Sequence, residues 1–126
     1  MDLGIKGRVA MVAASSQGLG KAVREAVSGL VKTLANEYGR HNVLVNNVCP
    51  GYTATARLME LAQTLAEKEG VSPRAIEGRW ASQTPLGRVG TPEEFANVVV
   101  FLASERASYV SGVSLDVDGG IVKGLS

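Results

Sequence analysis

The sequence predicts a layered α/β fold with a mostly parallel sheet, and three observations carry that prediction. Short apolar β-type runs alternate with amphipathic helical stretches in the order β-α-β-α-α-α-β. Glycines gather at the turns between those stretches and not within them. The last helix opens on a capping box, which fixes its start to the residue.

Residues 8–14 (RVAMVAA) form the first apolar run, and an unbroken run implies a strand covered on both faces. From Lys21 to Tyr38, the residues Val23, Val27, Leu30, Leu34 and Tyr38 recur at steps of three and four, marking one face of a helix. Gly39 then stops it. Val43, Leu44, Val45 and Val48 predict a second strand, ended by Pro50 and Gly51. A second helix is expected over residues 53–68, with Leu58, Leu61, Ala62 and Leu65 on one face. Ser72 and Pro73 supply a cap and a first-turn proline for a third, running to about Ser82.

Thr91, Pro92, Glu93 and Glu94 form the capping box. The Thr91 hydroxyl bonds the backbone NH three residues on, and Glu94 reaches back. The helix that follows is apolar nearly all round, with Phe95, Ala96, Val98, Val99, Val100, Phe101 and Leu102. A helix without a polar face is covered on two sides, and in so short a chain one cover is expected to be a partner subunit. Val113, Leu115 and Val117 alternate with Ser114 and Asp116 in a third strand that ends at Gly119 and Gly120.

Composition narrows the function classes. With 126 residues the chain is one domain, and 45% hydrophobic with 20% charged residues is ordinary for a globular one. A net charge of +1 leaves no electrostatic footprint for nucleic acid or an anionic membrane. The longest apolar run, from Val98 to Ala103, is too short to span a bilayer, and the N-terminus lacks a signal peptide's apolar stretch. Cys49 is the one cysteine, which excludes an internal disulfide and a multi-cysteine metal site. The expectation is a cytoplasmic protein without a metal.

Residues 14–20 (ASSQGLG) place a glycine turn between a strand and a helix. Such a turn suits a phosphate, because the backbone approaches closely and the helix dipole favours negative charge. Alone it is weak, since many glycine turns are only tight connections. Four further stretches fall in order: residues 45–53 (VNNVCPGYT), 85–94 (PLGRVGTPEE), 102–112 with LAS and YVSG, and 116–120 (DVDGG). Together they resemble the C-terminal half of the short-chain dehydrogenase/reductase family. The turn resembles that family's T-G-x-x-x-G-x-G, with Ala13 and Ala14 where Thr and the first Gly usually stand.

The resemblance implies a fragment of a doubly wound Rossmann-like α/β fold, with about three mostly parallel strands flanked by helices. Residues 1–21 match the first strand and its turn, and residues 22–126 match the C-terminal half. Everything between is missing: the second to fifth strands, the catalytic Ser, and the Tyr of Y-x-x-x-K. Arg24 falls where the family lysine would be, which puts Gly20 in the place of the tyrosine. The resemblance further implies NAD or NADP as cofactor, with Ser16, Gln17, Gly18, Leu19 and Gly20 near the pyrophosphate. It puts Pro50, Gly51, Tyr52 and Thr53 near the nicotinamide. The residue that would separate NAD from NADP has no counterpart.

No catalytic residue is expected. Family chemistry moves a hydride between nicotinamide and a carbonyl or alcohol carbon, while a tyrosine beside a lysine transfers the proton. Tyr38, Tyr52 and Tyr109 are followed four residues on by Asn42, Ala56 and Val113, so none has a cation at helical spacing. His41 lies in a polar loop and reads as solvated. Cys49 ends a buried strand, where a free thiol acts as a small hydrophobe. Asp116 and Asp118 resemble the family's structural ending and not a carboxylate pair. Glu60, Glu67, Lys68 and Glu69 read as a solvated helix face, and Trp80 as the anchor of the third helix.

The leading expectation is therefore a truncated, non-catalytic relative of NAD(P)-dependent short-chain oxidoreductases. Three strands leave edges and apolar faces open, so a homo-oligomer is expected. Its interface would use the helix over residues 95–102 (Phe95 to Leu102) and the strand over residues 113–117 (Val113 to Val117). One alternative is an intact, active oxidoreductase whose internal segment is missing from the sequence; a measured intact mass of 13.1 kDa would count against it, and one about double would support it. The other is a non-enzymatic interaction module.

Overall fold

The computed structural model describes residues 19–124. Helix α1 (Leu19–Tyr38) leads through a single 3-10 turn to strand β1 (Asn47–Pro50), then α2 (Ala56–Glu69), α3 (Pro73–Gln83) and α4 (Pro92–Ala103). A 3-10 turn over Glu105–Ala107 precedes strand β2 (Ser114–Val117). β1 and β2 pair in parallel, Asn47 opposite Ser114 and Pro50 opposite Val117. A parallel pair requires a crossover, and α2, α3 and α4 supply it. The expected first strand over residues 8–14 lies outside the described residues. The mixed α/β class with a parallel sheet is what the sequence implied.

The caps work locally as read. The Ser72 hydroxyl accepts from the Ala75 NH with Pro73 in the first turn, and both halves of the Thr91 and Glu94 capping box are present. α2 starts at Ala56 and not Thr53, because Thr55 caps it and Thr53 bridges in parallel to Gly90. It ends at Gly70, whose φ of +66° suits a residue without a side chain.

The strands are shorter than predicted. Residues 43–46 are not in the ladder, because Val45 and Asn46 bond to a loop. The Gly112 NH donates to the Val45 carbonyl at 2.7 Å, while the Asn46 amide donates to the Val110 carbonyl and accepts from the Val113 NH. Gly112 has φ of +76°, which breaks strand geometry before Ser114 and leaves Val113 outside β2.

The main hydrophobic cluster lies in the crossover. Ala62, Ala66, Ile76 and Trp80 are buried between α2 and α3, flanked by Tyr52, Leu58, Leu65 and Val89. Tyr52 stacks on Trp80 with ring centres 5.4 Å apart. Leu61, expected on the packed face, is exposed. α4 departs further from expectation: no residue in it is buried, and Phe101 remains 46% exposed. No described helix is long and apolar enough to cross a membrane.

Candidate functional site

The C-terminal ends of β1 and β2 open beside the start of α4, where ligands bind in parallel α/β sheets. Tyr52 and Thr53 follow β1, Asp118 follows β2, and Arg88, Glu94 and Phe95 close the far side. The cleft holds about 120 Å³, well under the roughly 300–1,000 Å³ of a typical small-molecule site.

Its polar groups bond to one another. Arg88 forms a bidentate pair with Glu94 at 2.6 and 2.8 Å, and Glu94 also accepts from the Thr91 NH at 2.8 Å. The guanidinium and then that NH hold the Glu94 carboxyl well below its ordinary value, at about 2. The Asp118 carboxylate accepts from the Gly120 and Val122 NH groups at 2.8 and 2.9 Å. A side chain on Gly51 would meet the Asp118 Cα at 2.6 Å, so this glycine serves the approach of one chain segment to another. The Thr53 hydroxyl donates to the Gly51 carbonyl.

Among the expected site residues, Pro50, Gly51 and Thr53 gather at this sheet end. Leu19 and Gly20 form the first turn of α1, while Ser16, Gln17 and Gly18 lie outside the described residues. The described residues do not by themselves fit NAD or NADP: the cleft is small, its polar side chains are paired, and Gly51 opens onto Asp118.

A second polar group lies between α1 and the sheet, and sequence reading missed it. The Arg24 guanidinium donates to the Asp116 carboxylate at 2.6 Å, with the side chains 19% and 21% exposed. Burial pushes the Asp116 carboxyl up from its ordinary value, Arg24 opposes that, and Asp118 adds to it. One turn along, the Ser28 and Ser114 hydroxyls lie 2.7 Å apart. The Asn47 amide donates to Ser114 and to the Cys49 sulfur, both at 3.3 Å, and its buried Oδ1 has no partner. Ionic and hydroxyl residues at positions 24 and 28, off the apolar stripe of α1, were the available signal.

Among the described residues no tyrosine hydroxyl is hydrogen-bonded to a cation. The Tyr52 hydroxyl donates to the Gln83 carbonyl oxygen at 3.0 Å, and Tyr38 and Tyr109 are exposed. His41 accepts from the Arg40 side chain in an exposed turn. Cys49 is buried, as expected of a packed thiol. Glu69 is not merely solvated, since it pairs with Arg79 across α2 and α3 at 2.8 Å. No group of three or more metal-ligating side chains occurs among the described residues.

Comparison with known proteins places this geometry. The profile of the family described as enoyl-(acyl carrier protein) reductase matches residues 6–122. A short-chain reductase of Streptomyces niveus is 42% identical over 96 residues, covering 75% of this chain and 35% of that protein. The (3R)-3-hydroxyacyl-CoA dehydrogenase of Rattus norvegicus is 35% identical, covering 93% of this chain and 40% of its own. The L-sorbose reductase of Gluconobacter frateurii, solved with NADPH and L-sorbose, superposes with a TM-score of 0.82 at 32% identity. That match covers 95% of this chain and 49% of the reductase. The chain thus spans less than half the length of these relatives. With its profile match running nearly end to end and its parallel strands superposing on a reductase of the same class, the chain belongs to the short-chain dehydrogenase/reductase family.

Proposed function

We propose that this chain is an internally shortened member of the family that does not catalyse hydride transfer by itself. It is one truncated domain, in which a first strand and glycine turn (residues 1–21) join directly to a C-terminal half (residues 22–126). One observation carries the reading: Arg24, in the place of the family lysine, is engaged 2.6 Å away by Asp116, and Gly20 stands four residues earlier without a phenol. In the family, the nicotinamide cofactor supplies or takes the hydride. Here a proton would have to come from a tyrosine beside a cation, and Tyr38, Tyr52 and Tyr109 offer none. Loss of a general acid costs about 10²–10⁴-fold, and loss of substrate positioning adds to that.

Any NAD or NADP binding rests on Ser16, Gln17, Gly18, Leu19 and Gly20 together with Pro50, Gly51 and Thr53, and is expected to be weak. The chain acts in the cytoplasm as a homo-oligomer, with α4 and β2 contributing to an interface. The exposed Phe101 and Leu115 support that surface.

The test is an assay of NADH and NADPH oxidation with acyl-thioester, sugar and steroid ketones, on protein verified at 13.1 kDa. No turnover above buffer is expected. Sustained turnover by that verified chain overturns the proposal. A purified mass near twice that value would instead favour an intact oxidoreductase.

A further inference from the structure

The two strands of the described sheet are covered unequally. Each strand of a two-stranded sheet has one edge without a partner, so similar exposure is expected of both. In β1, however, Asn47, Val48 and Cys49 are 1%, 2% and 3% exposed, whereas β2 has no buried residue and leaves Leu115 40% exposed. The Asn47 and Gly51 NH groups donate to the Val113 and Val117 carbonyls at 2.8 and 3.0 Å, on the β2 side. Backbone groups of successive strand residues alternate in direction, so Val48 aims its NH and carbonyl at the opposite edge. Buried backbone groups are nearly always paired, and among the described residues no strand stands on that edge. Pro50, the next residue aimed there, has no NH, which ends the row of donors.

We infer that residues 8–14 of the same chain occupy this edge as a third strand, parallel to β1. The inference rests on the internally shortened chain proposed above, in which that run leads straight into α1. Direction, length and composition select it. Arg24 of α1 reaches Asp116, Ser28 reaches Ser114, and Ala35 lies against Gly112, so α1 runs antiparallel to β2 with its first turn at the sheet's carboxyl end. A strand that enters α1 finishes at that end and therefore runs parallel to β1. The four connecting residues, 15–18, match a strand-to-helix loop of about 2–6 residues. Seven residues span about 23 Å at roughly 3.3 Å each, enough to cover the four of β1. The run RVAMVAA is unbroken and apolar, which suits the buried edge of β1 and not the exposed strand carrying Ser114 and Asp116. This order brings residues 15–18 to the sheet end where Pro50, Gly51 and Thr53 gather.

Nuclear magnetic resonance on the full chain, verified at 13.1 kDa, reads the pairing directly. Backbone nuclear Overhauser cross-peaks are expected between residues 8–14 and residues 46–50. The Val48 amide is expected to exchange with solvent at least about 100-fold more slowly than in an unfolded chain. Val12→Pro, which removes one strand NH, is expected to speed that exchange about tenfold or more while the Tyr52 and Trp80 ring signals stay in place. The wild-type cross-peaks decide the matter if that variant fails to fold. Cross-peaks from residues 8–14 to residues 114–117 in their place overturn the inference. So does their appearance only between labelled and unlabelled copies in a mixed sample, which would assign the edge to a second chain. Absence of cross-peaks from residues 8–14 to either strand also overturns it, and in each of these cases the shortened-chain reading stands. A mass near twice 13.1 kDa overturns that reading and this inference together.

Discussion

The α2–α3 hairpin and helix α4 both carry many apolar residues, but only the hairpin covers them. Ala62, Ala66, Ile76 and Trp80 close a cluster between α2 and α3, with Tyr52 stacked on Trp80 and the Glu69–Arg79 pair outside. α4 is more apolar in sequence and buries no residue at all, its Val100 and Phe101 remaining open. The hairpin satisfies its hydrophobic surface with its own residues. α4 and the stripe of α1 leave apolar side chains such as Phe101 and Leu30 about half exposed.

Substitutions in the hairpin should therefore unfold the chain, whereas substitutions on α4 should act on assembly. Trp80→Ala removes the largest buried side chain of the cluster and the stack with Tyr52. A loss of about 3–5 kcal/mol in urea denaturation is expected. A loss below about 1 kcal/mol would mean that the cluster is not the stabilising core. Gly51→Ala tests the junction between crossover and sheet. Its methyl would lie 2.6 Å from the Asp118 backbone, for an expected cost of about 1–3 kcal/mol. Thr91→Ala breaks the capping box of α4 and should cost about 1 kcal/mol in thermal unfolding, with Glu94→Gln adding little to it.

The pH dependence has the same sign in both regions and the opposite sign at Asp116 in β2. Glu94 has its carboxyl lowered from 4.5 to about 2, chiefly by Arg88, so its contribution is complete above pH 4.5 and is lost as pH falls toward 2. Glu69 behaves in the same direction through Arg79. Asp116 is raised by burial, so its effect favours the fold below its ordinary 3.8 and is lost as pH rises through the raised value. Acid titration of Arg88→Gln, followed by circular dichroism, should lack the Glu94 component; an unchanged acid limb would contradict that assignment. The smallest effect is expected at Phe101→Ser. The dissociated chain should change by less than about 0.5 kcal/mol, while sedimentation shows weakened assembly.

Much of the crossover was legible because its signals are local. Ser72 with Pro73, and Thr91 with Glu94, act over three residues, so the helix starts could be read directly. The strand ends were harder to place. Val43, Leu44 and Val45 have the composition of a strand, but a strand also needs a partner at matching register, and Gly112 turns the neighbouring chain away there. The glycine turn at residues 14–20 was legible as a motif, and Leu19 and Gly20 from it begin α1. The closed character of the cleft was not legible, because the Arg88–Glu94 pair and the meeting of Gly51 with Asp118 depend on how loops fold back.

By itself the sequence determined the helices, their caps and the family motifs. Each of these is a matter of residue type or of spacing within a few turns of chain. Only the tertiary structure decided which side of α1 meets the sheet. A periodic pattern says that Val23, Val27, Leu30, Leu34 and Tyr38 share a face, and on that face Val23, Leu30 and Tyr38 are about half exposed while Val27 and Leu34 are partly covered. The inner contact is made by Arg24 reaching Asp116, 92 positions away, and a pair that distant exists only once β2 has docked beside β1.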